Sequence, residues 1–487
     1  MYVVVACHDA PHEHEWRLPV TTTTASSDET VDADRFAAVL RQAVADGLLG
    51  ADQPVAGFID VDGVRATVAE LQAAFVPAPP APPAPPALPG PTAPPPVLHT
   101  FAAKAASLIP VLSLLADLGL GCEVASPGEL EIALRAGFAP ATIVLDSPAK
   151  TRREIQQALA LGVALNADSF AELDRIDALR PQDCSSVIGL RVNPQVGAGS
   201  IGAMSTATAT SKFGVALGDP GGRAEVVRAF ERRPWLTRLH AHVGSQGCPL
   251  ELITAGIAET HRLAEEVNHA VGRQQITSLD IGGGLPVNFD GPETRPTFAA
   301  YAAALRAAVP ALLDGRYQLV TEFGRSLLAK NGFIGALVEY TKDAGGRRIA
   351  ITHAGAQLAT RTVLMPDAWP LRVGAYDGRG RPKATAAMVQ DIAGPCCFAG
   401  DVVAHARELP ELQEGDIVVL HDTGAYYFST HWAYNSLPRP AVHGFSTDGR
   451  GRVQFAPVRE AQSLQQISLE SGLAHADALL GLGLDAR

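Results

Sequence analysis

The alternation of apolar and polar positions changes rhythm along the chain, and each change marks a segment. Residues 1–50 are weakly patterned. Residues 21–34 are polar and loop-like, and 34–47 place Phe36, Val39, Leu40 and Val44 at helical spacing. Residues 53–62 read as a strand and turn, 64–75 as a helix. From residue 97 onward, strand-like runs alternate with helix-like ones. The strand runs are 97–104, 121–125, 142–146, 163–168, 186–192, 236–243, 277–281 and 317–322. Residues 152–161, 224–232 and 251–271 have amphipathic helical spacing, and 298–313 is an alanine-rich helix. Eight strands, each followed by a helix or turn, predict a (β/α)8 TIM barrel, an α/β fold; a doubly wound open sheet is the alternative. Past residue 328, short β-prone pieces (335–340, 347–352, 417–420) predict a second, mostly β C-terminal domain.

The division expected is an N-terminal extension, 1–52, joining the β domain; a barrel, 53–328; the β domain, 329–461; and a helical tail, 462–487. A proline-rich insertion, 76–96, interrupts the entry to the barrel. Twelve of the 36 prolines lie there, so proline usage elsewhere is ordinary. The tract favours polyproline II and cannot continue a helix or a sheet ladder.

Charge narrows the function. A net charge of −12 argues against nucleic acid and anionic membrane surfaces as partners. No segment approaches the roughly 20 apolar residues of a membrane span. The start of the chain lacks the basic flank of a signal peptide. The six cysteines show no C-x-x-C spacing and read as free thiols in a reducing cytoplasm. Cys7, His8, His12 and His14 read as solvated polar residues, and no metal site is expected.

Barrel chemistry gathers at the carboxyl ends of the strands. Lys104 ends the first strand among alanines, where burial would lower its pKa and suit Schiff-base chemistry. Arg191 ends the fifth, His242 and Ser245 the sixth. Gly282, Gly283 and Gly284 end the seventh and offer bare backbone N–H groups to a phosphate. Glu322, Gly324 and Arg325 end the eighth. An amine, a stacking imidazole, a phosphate cradle and a carboxylate match pyridoxal phosphate.

With these residues in order, the chain resembles the pyridoxal-phosphate decarboxylases that include diaminopimelate and ornithine decarboxylases. The resemblance rests on Phe101-Ala-Ala-Lys104, Glu123-Val-Ala-Ser126-Pro-Gly-Glu129, Arg191-Val-Asn-Pro194, Ser211-Lys-Phe-Gly214, His242-Val-Gly-Ser245, Asp280-Ile-Gly-Gly-Gly284, Glu322-Phe-Gly-Arg325, Gly394-Pro-Cys-Cys397, Asp401, and Gly424-Ala-Tyr426 followed by Tyr434-Asn435. It implies a barrel plus a β domain, an amino-acid substrate and a homodimer with shared active sites. Lys104, His242, Glu322 and Cys397 are the catalytic residues it implies, Cys397 returning a proton to Cα from the partner subunit. Tyr426 and Arg325 would contact the phosphate or substrate.

The chain departs from the pattern at the far end of the substrate. Phe398 stands where relatives place the acid that receives a distal amine. Arg361 resembles the arginine for a distal carboxylate, but Met365 replaces a tyrosine, and Ala106 an asparagine. The expectation is an amino-acid decarboxylase with an altered distal pocket. A racemase or epimerase on the same barrel, and a non-catalytic cofactor-binding paralogue, are the alternatives; Glu322 argues against the first.

Overall fold

The computed structural model describes residues 27–76, 97–480 and 482. The proline tract from Pro77 to Pro96 and the Cys7, His8, His12 and His14 cluster lie outside them.

Eight parallel strands form a ring: Leu98–Ala102, Gly121–Val124, Ile143–Asp146, Ala164–Ala167, Ile188–Asn193, Leu236–His240, Ser278–Asp280 and Gln318–Phe323. The eighth pairs with the first, Val320 opposite Leu98 through Phe323 opposite Phe101, and the fourth with the fifth. That closure decides for the barrel over an open sheet. The second, third and fourth strands are buried at every position, because helices cover the outside and side chains fill the inside.

Local signals set the helices between them. In Arg152–Leu161, Thr151 and Glu154 form a reciprocal capping box, and Gly162 at φ 76° stops the helix. The alanine-rich run splits. Phe298–Ala308 is α-helical and Pro310–Leu313 a 3-10 turn, since Pro310 has no N–H to continue the ladder. The first strand is shorter than expected, because Ala103–Ala105 turns into a 3-10 helix that presents Lys104 at the barrel mouth.

The second domain is built on the long strand Gly332–Ala344. It pairs antiparallel with Arg347–Thr352, Ile417–Leu420 and Val55–Asp60. Val55–Asp60 also runs parallel to Ala441–Thr447. This corrects the boundary at residue 53: those six residues belong to the β domain, and the helix Val61–Ala74 carries the chain to the barrel. A six-residue strand with four buried positions looks the same in either sheet, so its sequence could not assign it. The N-terminal helix, Ser27–Ala45, buries Val39, Leu40 and Ala43 against Phe58, Phe333, Val419 and Phe445 of this sheet. The expected helical tail holds a short α-helix and a 3-10 turn, Leu473–His475, joined by turns. Its helix, Leu464–Glu470, is capped by Ser463 and ends at Gly472, φ 87°.

Candidate active site

Nearly every barrel strand contributes a buried polar side chain to the interior. Glu123, Asp146, Asn166, Arg191, Arg238, His240, Asp280 and Glu322 come from the second through eighth strands. Such groups are costly unless they pair with one another. Asn166 donates to Asp280 at 3.0 Å, and Arg238 to Ser278 at 3.0 Å. His240 lies 3.2 Å from Asp146 and 3.7 Å from Glu322.

Lys104 stands above this floor. Its Nζ donates to Glu123 Oε2 at 2.5 Å. Its side chain is 42% exposed, that of Glu123 only 2%. Burial alone would lower the lysine pKa, as the sequence suggested. The carboxylates of Glu123 and Glu322, with Tyr426, outweigh burial and raise it instead. Burial pushes Glu123 up to about 7, against the pull of Lys104.

Glu322 is buried, and its Oε2 lies 3.3 Å from His242 Nδ1. Burial, with Asp280, Asp146 and Glu123 nearby, raises its pKa well above the carboxylate range. Its other oxygen, Oε1, has no partner among the described residues. A buried carboxylate oxygen left free suits a ring N–H, as of a protonated pyridine. His242 is held neutral by burial and by Arg191 and Lys104. His240, His242 and Glu322 bring ligand atoms within 4.8 Å of one another, a spacing a metal ion could also use.

The three glycines are demanded by crowding. A Cβ on Gly283 would lie 2.0 Å from the Glu322 carbonyl oxygen, and Gly282 and Gly284 have φ of 65° and 85°. The N–H groups of Gly282 and Gly283 already donate to Asp280 and His242. The Gly284 N–H has no partner among the described residues, so it is the one free to meet a phosphate.

The β domain completes the mouth. Tyr426 N–H donates to the Ala105 carbonyl at 2.6 Å, and Ser429 Oγ to that of Lys104 at 2.8 Å. Tyr426 has φ 74°, a strained conformation for a non-glycine residue. Its ring receives the guanidinium of Arg325 at 4.5 Å and of Arg361 at 4.6 Å. Arg325 also stacks at 4.4 Å on Trp369. Burial lowers its pKa to about 10, and its Nε and Nη2 have no partners among the described residues. An anion fits there. An amine, a free buried carboxylate oxygen, a free N–H and a free guanidinium together fit pyridoxal phosphate.

The remaining expected residues make other contacts. Arg191 is close to Asp168, at 3.9 Å, and stacks over Phe213 at 4.3 Å. Ser245 is half-buried in the loop beyond the sixth strand. Met365 caps the helix Ala356–Leu364 and is 41% exposed. Cys397 is exposed; its N–H donates to Asn435 Oδ1 and its carbonyl accepts from Tyr434. Phe398 packs edge-on against Trp432 at 5.9 Å and Tyr434 at 5.6 Å. The contact of Glu123 with Lys104, and the whole of Asp146, Asn166, Arg238 and His240, escaped the sequence reading. A polar or charged residue inside an otherwise apolar strand run was the available signal.

Residues 91–329 match the family described as "Pyridoxal-dependent decarboxylase, pyridoxal binding domain". Diaminopimelate decarboxylase of Pseudomonas fluorescens is 36% identical over 355 residues, 71% of this chain and 80% of that one. Its counterpart in Pseudomonas aeruginosa is 35% identical over 381 residues, covering 76% and 86%. The crystal structure of diaminopimelate decarboxylase from Helicobacter pylori complexed with L-lysine superposes with a TM-score of 0.71 at 26% identity, over 86% of this chain and 97% of that one.

Proposed function

The chain belongs to the pyridoxal-phosphate-dependent decarboxylases that include diaminopimelate decarboxylase, and from that premise we propose which groups carry its reaction and what substrate it takes. It is a carboxy-lyase acting on an amino acid, with pyridoxal phosphate as cofactor. When bound, the cofactor supplies an electron sink for the bond pair left as the α-carboxylate departs.

In this reading Lys104 Nζ binds the cofactor covalently. Glu322 Oε1 would hold the proton at the ring nitrogen, and the neutral His242 imidazole would pack against the ring. Arg325, Tyr426 and the Gly284 N–H would hold the phosphate. The buried floor keeps Glu322 in place and excludes water from beneath it.

Losing CO2 leaves Cα one proton short, and a general acid must return it. Cys397 is that acid in the proposal, supplied by a second copy of the chain. In its own chain the residue faces outward on the β domain, held by Asn435 and Tyr434. The working unit is thus a homodimer in which Cys397 of the partner subunit completes the site around Lys104.

The aromatic cluster beside Cys397 carries the substrate reading. Phe398, Trp432 and Tyr434 present rings, and no carboxylate, where a distal amine would need an anion. The expected substrate has a far end that is apolar, bulky, or a carboxylate held by Arg361. The test is CO2 release by the purified protein with added pyridoxal phosphate, comparing meso-diaminopimelate, ornithine, lysine and a neutral amino acid. Efficient and selective turnover of meso-diaminopimelate would overturn it, and no CO2 release with racemisation would favour the epimerase alternative.

A further inference from the structure

The geometry of the first two barrel strands points to a proton-holding role for Glu123: its carboxylate keeps the Lys104 side chain as an ammonium and takes the proton when the amine must act as a nucleophile. The inference rests on reading Lys104 as the cofactor-binding amine.

Register places the pair. Glu123 lies opposite Ala102 in the neighbouring strand, so its side chain reaches the 3-10 turn where Lys104 begins. Cys122 and Val124 on either side are fully buried. No packing need calls for an acid in such a run, and an unpaired carboxylate there would be strongly destabilising. Its one side-chain hydrogen bond among the described residues is with Lys104 Nζ. The two partners differ in freedom. Glu123 is anchored, whereas the lysine side chain is 42% exposed towards the mouth and has room to swing away. When the amine leaves as a nucleophile, the proton stays with the fixed group.

The surrounding charges act on both partners, and at rest they hold the proton on the amine. Asp146 from the third strand and Glu129 from the following helix face Glu123. Glu322 from the eighth strand and Tyr426 from the β domain face Lys104, which in turn acts on His242. Burial pushes Glu123 up to about 7, where a carboxylate can accept and return a proton near neutral pH. In the step itself an N–H bond of the ammonium breaks, the proton passes to Glu123 Oε2, and the nitrogen keeps the electron pair. The reverse restores the ion pair once the amine is released. Glu123 is therefore a partner of the reacting nitrogen, distinct from Glu322 at the ring nitrogen.

The test uses the cofactor-free full chain. Covalent capture of pyridoxal phosphate is followed by absorbance from pH 6 to 10, then fixed by borohydride and located by peptide mass. In Glu123→Gln, burial acts on the lysine without its counter-charge, so the midpoint of the pH–rate profile should fall by about one unit or more. Glu123→Ala carries the same expectation and stands in where the amide variant does not fold. Glu123→Asp keeps a carboxylate and should retain a profile close to that of the parent. A Gln or Ala profile superimposable on the parent would overturn the proposal. Lys104→Ala separates the premise: capture at another lysine in the parent, or unchanged capture in this variant, would instead overturn the assignment of Lys104.

Discussion

At the residue scale, the site is a balance of buried charges. Lys104→Ala removes the covalent link, so the visible absorbance of the bound cofactor should vanish and turnover fall by at least about a thousandfold. Wild-type absorbance and turnover in the purified variant would refute the assignment. Glu322→Gln keeps the shape but holds no negative charge against the ring nitrogen, and kcat should drop on the order of 100-fold with cofactor still bound. The steady-state rate and the cofactor content, read together, check this. Sequence alone named Lys104, His242, Glu322 and Arg325, because polar residues at strand ends stand out against apolar runs. It could not show that Glu123 raises the lysine pKa rather than leaving burial to lower it. That outcome depends on a 2.5 Å contact between adjacent strands.

At the element scale, pH dependence of stability is built into the first strand. His99 is 8% exposed, accepts or donates at 2.9 Å with Thr321 across the closing strand pair, and packs edge-on against Phe75. Burial lowers its pKa to about 4. The folded form therefore binds fewer protons than the unfolded chain between pH 6.5 and 4, and stability falls as the pH drops through that window. The full effect is on the order of 3 kcal/mol. In His99→Gln this part of the acid sensitivity should disappear, as measured by urea unfolding at pH 7 and pH 4.5. Helix ends behave more simply. Thr151→Ala removes one half of a capping box and should cost about 1 kcal/mol, read as a shift of the urea midpoint. The helix 152–161 itself was legible in sequence because amphipathic spacing is local. The partner of Val55–Asp60 was not legible, because either sheet would bury the same residues.

At the scale of the whole molecule, the β domain reaches over the barrel mouth through Tyr426 and Ser429 and fixes the turn carrying Lys104. Among the described residues no helix is long and apolar enough to cross a membrane. If sites are shared between subunits, mixing inactive Lys104→Ala and Cys397→Ala proteins should restore up to about a quarter of parental activity. No recovery after subunit exchange would argue that each chain works alone. The sequence by itself determined the barrel, the second domain and the list of chemically able residues, since strand period, helix period and strand-end polarity are local properties of the chain. Only the tertiary structure decided which of those residues meet. It joined Glu123 to Lys104, stacked Arg325 and Arg361 on Tyr426, and turned Cys397 outward. Those outcomes depend on register, ring closure and domain docking, which bring together positions separated along the chain and leave no periodic trace in it.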